Sequence, residues 1–197
     1  MTWLQTLSGR AFDLLNPTPN MVDFEQDIPY SLAALARFNG HVAHGVYSVA
    51  QHCVLGADWL ERETGNPTLA AAFLLHDAHE AYIGDICTPV AEALRAHDAE
   101  WPLFVLKRRA DIAIYKAAGG MTEHEANATP VLKRMDLRML AIERRDLLGP
   151  APRPWTVQSP PAGDMAHPRI KPWSRERAAG EYLDRLNKWL PNRQRAA

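Results

Sequence analysis

At 197 residues the chain is long enough for one well-filled core and short for two independent domains, and a hydrophobic share of 47% suits a globular protein. Lysine and arginine number 22 against 23 for aspartate and glutamate, so the formal net charge of -1 gives no general attraction for a nucleic-acid polymer; a small anionic substrate needs only local positive charge. No apolar run approaches a membrane span and the N-terminus lacks the basic-then-apolar layout of a signal peptide, so no membrane partner and a cytoplasmic location are expected.

In chain order, the first thirty residues, with Asn16-Pro17-Thr18-Pro19-Asn20, read as turns and irregular chain ending at Asp27-Ile28-Pro29, a cap and a proline near a helix start. A short helix is predicted from there toward Arg37, broken by Asn39-Gly40. Ser48 opens the next as a capping box with Gln51, and Gly65 closes it, which places His52 about one turn in. Asn66-Pro67 starts a third helix whose Leu69-Ala70-Ala71-Ala72-Phe73-Leu74-Leu75 is apolar on nearly every face, as a central helix would be, with Gly84 as its stop. Thr88-Pro89-Val90 reads as a turn. A fourth helix is predicted from about Trp101 to Ala118 before Gly119-Gly120, and a fifth from Thr129-Pro130 to Gly149-Pro150. Between Pro150 and Pro172 the density of proline, with Ser159-Pro160-Pro161-Ala162-Gly163, marks a long loop before a last helix capped by Ser174. With no repeats and no convincing alternating strand, the expected fold is all-α. One domain should span 1–197, with a core at about 29–149 and the loop and last helix of 150–197 packed on it.

The chemistry concentrates in Leu74-Leu75-His76-Asp77-Ala78-His79-Glu80-Ala81-Tyr82-Ile83-Gly84-Asp85. An imidazole and three carboxylates follow an apolar helix, where burying them is costly unless a metal or hydrogen bonds compensate. Glu80 lies at i+4 from His76 and i+3 from Asp77, so the three side chains can converge. The chain carries its own control in His97-Asp98, which sits in polar Arg95-Ala96-His97-Asp98-Ala99-Glu100 and reads as a solvated loop or cap. Asp136 lies on the apolar stripe of Leu132, Met135, Met139 and Leu140, away from Arg134, Arg138 and Arg145. Taken alone, Asp136 is a core carboxylate and His52 a hydrogen-bonded core histidine. Taken together, two His and two Asp on three buried helices supply nitrogen and hard oxygen donors suited to Mn, Co, Fe, Zn or Mg. Cys53 and Cys87 have no Cys-x-x-Cys spacing and read as buried, reduced thiols.

The order His52, His76-Asp77, Asp136 resembles the HD-domain metal-dependent phosphohydrolases. Arg37 fifteen residues before His52, Ser48-Val49-Ala50-Gln51-His52, His76-Asp77-x-x-Glu80-x-x-x-x-Asp85, Thr88-Pro89-Val90 and Lys133-x-x-Asp136 are similar to the bacterial 5'-deoxynucleotidases and to phage and prophage nucleotide phosphohydrolases of the DatZ-like and YfdR-like kinds. The resemblance implies one divalent metal ion held by His52, His76, Asp77 and Asp136, with Glu80 as the carboxylate that orients or deprotonates the attacking water. It implies that Arg37 and Lys133 hold phosphate oxygens beside Phe38. Asp85 would contact the sugar or assist acid-base chemistry; equally, it caps the turn after Gly84. Two positions depart from the monophosphate-specific pattern: Phe38 replaces a tryptophan, and Ala91 replaces a lysine often found there. Lys107-Arg108-Arg109 can supply the missing charge or form a solvated face, and His41, His44, His79 and His124 either add a second metal or lie at the surface or behind the ligands. The expected partner is a small nucleotide, with hydrolysis of a 5'-deoxynucleoside monophosphate as the leading activity and a homo-oligomer as the assembly. The alternatives are a deoxynucleoside triphosphate triphosphohydrolase and a catalytically silent nucleotide-binding module, which Glu80 argues against.

Overall fold

Helices carry the fold, and most begin where the sequence supplies a cap. The computed structural model describes residues 2–120, 130–155 and 167–194. His124, Thr129 and the Ser159–Gly163 stretch expected in the long loop lie outside the described residues. Helix α1 spans Asp27–Ala34, α2 Val49–Thr64, α3 Pro67–Leu75, α4 Glu80–Ile83, α5 Thr88–Ala96, α6 Glu100–Ala117, α7 Pro130–Leu147 and α8 Arg175–Trp189. The mostly all-α expectation holds, with one small exception: Trp3–Gln5 (β1) and Ala11–Asp13 (β2) form an antiparallel hairpin where irregular chain was expected. Three-residue strands are too short for their alternation to register in sequence.

Local chemistry explains the boundaries. The Ser48 hydroxyl accepts from the Gln51 N–H and Gly65 closes α2 in the left-handed conformation. The Asn66 side chain accepts from Thr68 and Leu69 N–H at the head of α3, and Ser174 accepts from Arg177 N–H at the head of α8. Two expectations need correction. Thr88-Pro89-Val90 is the first turn of a helix, α5, since a proline at the second helical position costs no hydrogen bond there. The capping box is only half made: the Gln51 amide instead donates to Lys171 O at 2.9 Å and accepts from Trp173 N–H at 2.9 Å. The segment after the proline-rich loop is thereby strapped to the residue beside His52.

Helix α3 is apolar all round because it packs against both α2 and α8. Ala70 through Leu75 are buried, and one continuous hydrophobic cluster runs from Phe12 and Phe24 through α1–α3 to Ala178, Tyr182 and Leu186 of α8. The Tyr182 hydroxyl donates to Leu74 O at 2.8 Å, two residues before His76. From the other side, Phe12 of the hairpin stacks on Tyr82 with ring centroids 3.6 Å apart, which backs α4. Glycine is required at position 56, where an added Cβ would lie 2.2 Å from Phe73 Cε1. The Phe73 ring in turn sits 4.4 Å from the His76 ring and 5.8 Å from that of His52. Gly56→Ala is therefore expected to destabilise the protein by about 1–3 kcal/mol through overpacking and to weaken metal binding with it. Thermal unfolding and a metal titration check this, and a variant that melts and binds like the parent would refute it.

Candidate metal centre

The α-helical ladder of α3 ends at Leu75, earlier than the stop expected at Gly84. His76, Ala78 and Glu80 N–H groups donate three residues back, to Phe73, Leu75 and Asp77 carbonyls at 3.4, 2.9 and 3.0 Å. This tightened turn separates His76-Asp77, at the end of α3, from Glu80, which opens α4. Neither Ala78 nor the neighbouring residues carry a breaking signal. The Gly84 conformation, φ 82°, then releases Asp85 from α4.

Four of the expected ligands meet. His52 Nε2 lies 3.4 Å from His76 Nε2, 3.8 Å from Asp77 Oδ2 and 3.3 Å from Asp136 Oδ1, and His76 Nε2 lies 3.0 Å from Asp77 Oδ2. Ligands bonded at about 2.1 Å to one divalent ion stand roughly 3.0–3.4 Å from each other, so His52, His76 and Asp136 stand close to the spacing a shared ion imposes, with Asp77 against His76 beside them. The rings are fixed from behind. His52 Nδ1 donates to Glu143 Oε1 at 2.6 Å and His76 Nδ1 donates to Phe73 O at 2.6 Å, as metal-bound histidines do with their second nitrogen. With both Nδ1 protons committed outward, two Nε2 lone pairs face each other, and a proton or a metal ion between them removes the repulsion. The residues fit a divalent cation.

The electrostatics agree. Burial works against charge on His76, but the adjacent Asp77 carboxylate outweighs it and holds the imidazole well above its ordinary range. His52 is also raised: burial and Arg37 lower it, and Glu143 and Asp136 more than compensate. Asp77 feels the same burial, yet His76, His52 and Arg37 pull it well below the usual carboxylate range. Asp136, whose side chain keeps 44% of its exposure at the mouth of the site, is lowered by its His52 hydrogen bond against the cost of desolvation. The centre is a place that draws positive charge. Cys53 stands close to His76 and Asp77, but burial pushes its thiol up to about 11, which keeps it protonated and a poor ligand.

Glu80 is buried beside Asp77, and burial followed by the charges of Asp77 and Asp85 pushes its carboxyl up to about 9. Asp85 is half-buried and raised by desolvation, with Arg37 opposing. The guanidinium of Arg37, the expected phosphate-holding residue, donates to Glu143 at 3.2 Å and stands 3.6 Å from Asp77. Phe38, 5.7 Å from that guanidinium, packs against the core in a left-handed conformation, φ 56°. Lys133 is exposed on α7, one turn before Asp136. Arg138, expected on the polar face of that helix, is buried over Trp59 with two 2.7 Å bonds to Glu63. The control pair behaves as expected, with His97 and Asp98 exposed.

One group escaped the sequence reading, and a second, His79, was named there without its partner. Glu143 is wholly buried and accepts from Arg37, His52 and the Tyr47 hydroxyl, the last at 2.9 Å. Its spacing of seven residues from Asp136 put both on one face of a helix, which was the available signal. The second is His79, buried and donating from Nδ1 to Asp111 Oδ1 at 3.0 Å. A cavity of about 480 Å³ opens beside the centre, lined by His76, Asp77, His79 and Glu80 on one wall and by Lys107 and Arg108 on another. Two of the three successive cations of α6 thus face the site, and Ala91 contributes to the same lining.

Over 190 residues, 95% of this chain and 95% of its relative, the sequence is 34% identical to YfdR of Escherichia coli K12, an uncharacterized protein. Over 97 residues, 47% of this chain and 48% of the relative, it is 43% identical to an uncharacterized protein of Rhodobacter capsulatus. No protein-family model matches the chain.

Proposed function

This chain belongs to the family of Escherichia coli YfdR, and we propose that it is an HD-domain phosphohydrolase using a divalent metal ion to hydrolyse a deoxynucleotide, most simply a 5'-deoxynucleoside monophosphate to nucleoside and phosphate. The observation that carries this reading is the convergence of His52, His76, Asp77 and Asp136 with their imidazoles locked from behind. When bound, a divalent cation lowers the pKa of water and neutralises phosphate charge. Glu80 borders the same cavity; a cation bound beside it would favour its charged form, in which it orients the attacking water and accepts its proton. Asp85, between Gly84 and Ile86 of the cavity lining, contacts the sugar or relays that proton. Arg37 holds Asp77 and Glu143 in place and lends its charge to the phosphate region, with Phe38 shielding it and Lys133 available at the mouth. Ile83, Ile86, Leu103 and Phe104 give the cavity an apolar wall for the nucleoside.

Lys107 and Arg108 in the cavity lining favour a second reading, removal of inorganic triphosphate from a deoxynucleoside triphosphate, since two cations match a longer phosphate chain. Purified protein incubated with nucleoside 5'-mono- and triphosphates and Mn, Co or Mg separates the two. Orthophosphate from a monophosphate supports the first, inorganic triphosphate the second, and tight nucleotide binding without turnover would replace both with a sensing role. Glu80→Gln is expected to keep the ion held by His52, His76, Asp77 and Asp136 while turnover drops about 100-fold or more; turnover at the parent rate would remove Glu80 from the chemistry. Among the described residues no helix is long and apolar enough to cross a membrane. A homo-oligomer is part of this reading, supported by Trp101 and Phe104, stacked at 5.5 Å and 70% and 48% exposed.

A further inference from the structure

Two adjacent residues of the cavity wall each bury a polar atom without a hydrogen-bond partner: His79 Nε2 and Glu80 Oε2. His79 is 2% exposed and Glu80 8%. A buried acceptor left unpaired is costly, so two of them side by side mark a place built to receive donors. A ring nitrogen of His79 and a carboxylate oxygen of Glu80 lie within 4.8 Å of each other. One water molecule donating to two acceptors at about 2.8 Å spans roughly 4.6 Å between them, so the pair matches a single donor with two hydrogens.

The His79 ring is set for that use. Its Nδ1 donates at 3.0 Å to Asp111 Oδ1, a buried carboxylate brought in by α6 from 32 residues along the chain. With the ring proton committed to that carboxylate, Nε2 is left as an acceptor. Packing alone gives a buried histidine no reason to have its tautomer fixed in this way. His79 and Asp111 both line the cavity that Glu80 borders, so the fixed acceptor belongs to the space where the reaction takes place.

We propose that His79 is a second catalytic residue: its Nε2 and the Glu80 carboxylate each accept one hydrogen of the attacking water, and Asp111 positions the ring by fixing its proton on Nδ1. The inference rests on the phosphohydrolase reading and adds to it the orientation of the nucleophile. Held by both hydrogens, the water turns its lone pairs away from the two side chains and offers them to phosphorus. As the new phosphorus–oxygen bond forms, the bond to the 5' oxygen breaks. Glu80 takes one proton, which ends on the departing 5' oxygen, and the other stays on the transferred oxygen and leaves with the phosphate. His79 keeps its own proton throughout, so its part is orientation.

The test measures turnover, nucleotide affinity and ion content on the same Mn-loaded preparations, with the four 5'-deoxynucleoside mono- and triphosphates as substrates. His79→Ala is expected to lower kcat about 100-fold. Its ion content should match the parent's, and the same substitution made in Glu80→Gln should leave nucleotide affinity by calorimetry unchanged. His79→Gln, whose amide oxygen can accept where Nε2 does, should recover part of the loss. Asp111→Asn keeps the shape of the site and guards against misfolding in the alanine variant. It should move the ring proton to Nε2 and lower turnover with the fold intact, and nitrogen NMR of the imidazole in metal-free protein should show that proton on Nδ1 in the parent and on Nε2 in the variant. Turnover at the parent rate in His79→Ala overturns the inference. Weaker nucleotide binding with kcat retained, or a lost ion, overturns it as well, by making His79 a substrate contact or a ligand. A parent that hydrolyses none of these nucleotides overturns the phosphohydrolase reading and this inference together, whereas an active parent that His79→Ala does not slow leaves that reading standing.

Discussion

His76→Ala and Asp77→Ala are each expected to lose the ion held by His52, His76, Asp77 and Asp136 and all turnover together, with the helical fold retained. His76 supplies one of only two imidazole nitrogens, and its Nε2 stands within 3.4 Å of His52 and 3.0 Å of Asp77. Removing it leaves a three-ligand set in which Asp77 has lost its nearest positive partner. Asp77 is the more central of the two, since its carboxylate also faces Arg37 at 3.6 Å and belongs to the donor cluster of His79 and Glu80. Metal affinity is coupled to the number and protonation of ligands, so loss of one from so small a set removes most of the binding free energy. Elemental analysis after gel filtration, far-ultraviolet circular dichroism and a phosphate-release assay on the same preparations decide the matter. Full occupancy with normal turnover in either variant would mean that the convergence of these side chains serves packing rather than chemistry.

Glu143→Ala has the second large effect expected, and it acts first on stability. One carboxylate, 0% exposed, accepts hydrogen bonds from Arg37, Tyr47 and His52. Its removal leaves the Arg37 guanidinium buried against Asp77 alone and frees the His52 ring, for a loss of about 3–5 kcal/mol, the scale of breaking a buried charge pair from one side. Ion affinity should fall about 10–100-fold as His52 loses its orientation. Glu143→Gln separates the two effects. The amide can still accept one hydrogen bond, so stability should largely recover while ion affinity stays depressed for want of the negative charge behind the imidazole. Chemical denaturation and metal titration of both variants give the measurement; an alanine variant as stable and as metal-avid as the parent would show that the network is redundant.

What could be read ahead of the structure followed the range of each interaction. Ser48, Gly65, Asn66-Pro67 and Ser174 act on backbone groups within four residues, so helix ends were legible. His52, His76, Asp77 and Asp136 were legible for a different reason, as polar residues set in apolar periodic segments. The side-chain uses of Gln51 and Arg37 were not. Gln51 binds backbone 120 and 122 residues away and Arg37 a carboxylate 106 residues away, and nothing near either residue announces such a partner. His79 shows the limit most clearly. Its role turns on Asp111, and an Asp-His relation across two helices has no local signature. The early end of α3 was hidden because Ala78 and its neighbours are compatible with a continuous helix, and the turn is made instead by the tertiary setting of His76.

The last helix gives the protein an order of assembly. Helix α8 packs on α1, α2 and α3, its Tyr182 bonds the end of α3, its Arg185 clasps Asp58 of α2 at 3.0 and 2.7 Å, and the strap before it occupies both sides of the Gln51 amide. During synthesis His52 leaves the ribosome well before Trp189, a wait of about 7–27 seconds at 5–20 residues per second. Through that interval the side of α3 that α8 covers stays open, and Leu74, two residues before His76, lacks its Tyr182 partner. The frame of the centre is therefore completed from its C-terminal side, by α8 residues outside the donor cluster, and the full donor geometry belongs to the finished chain.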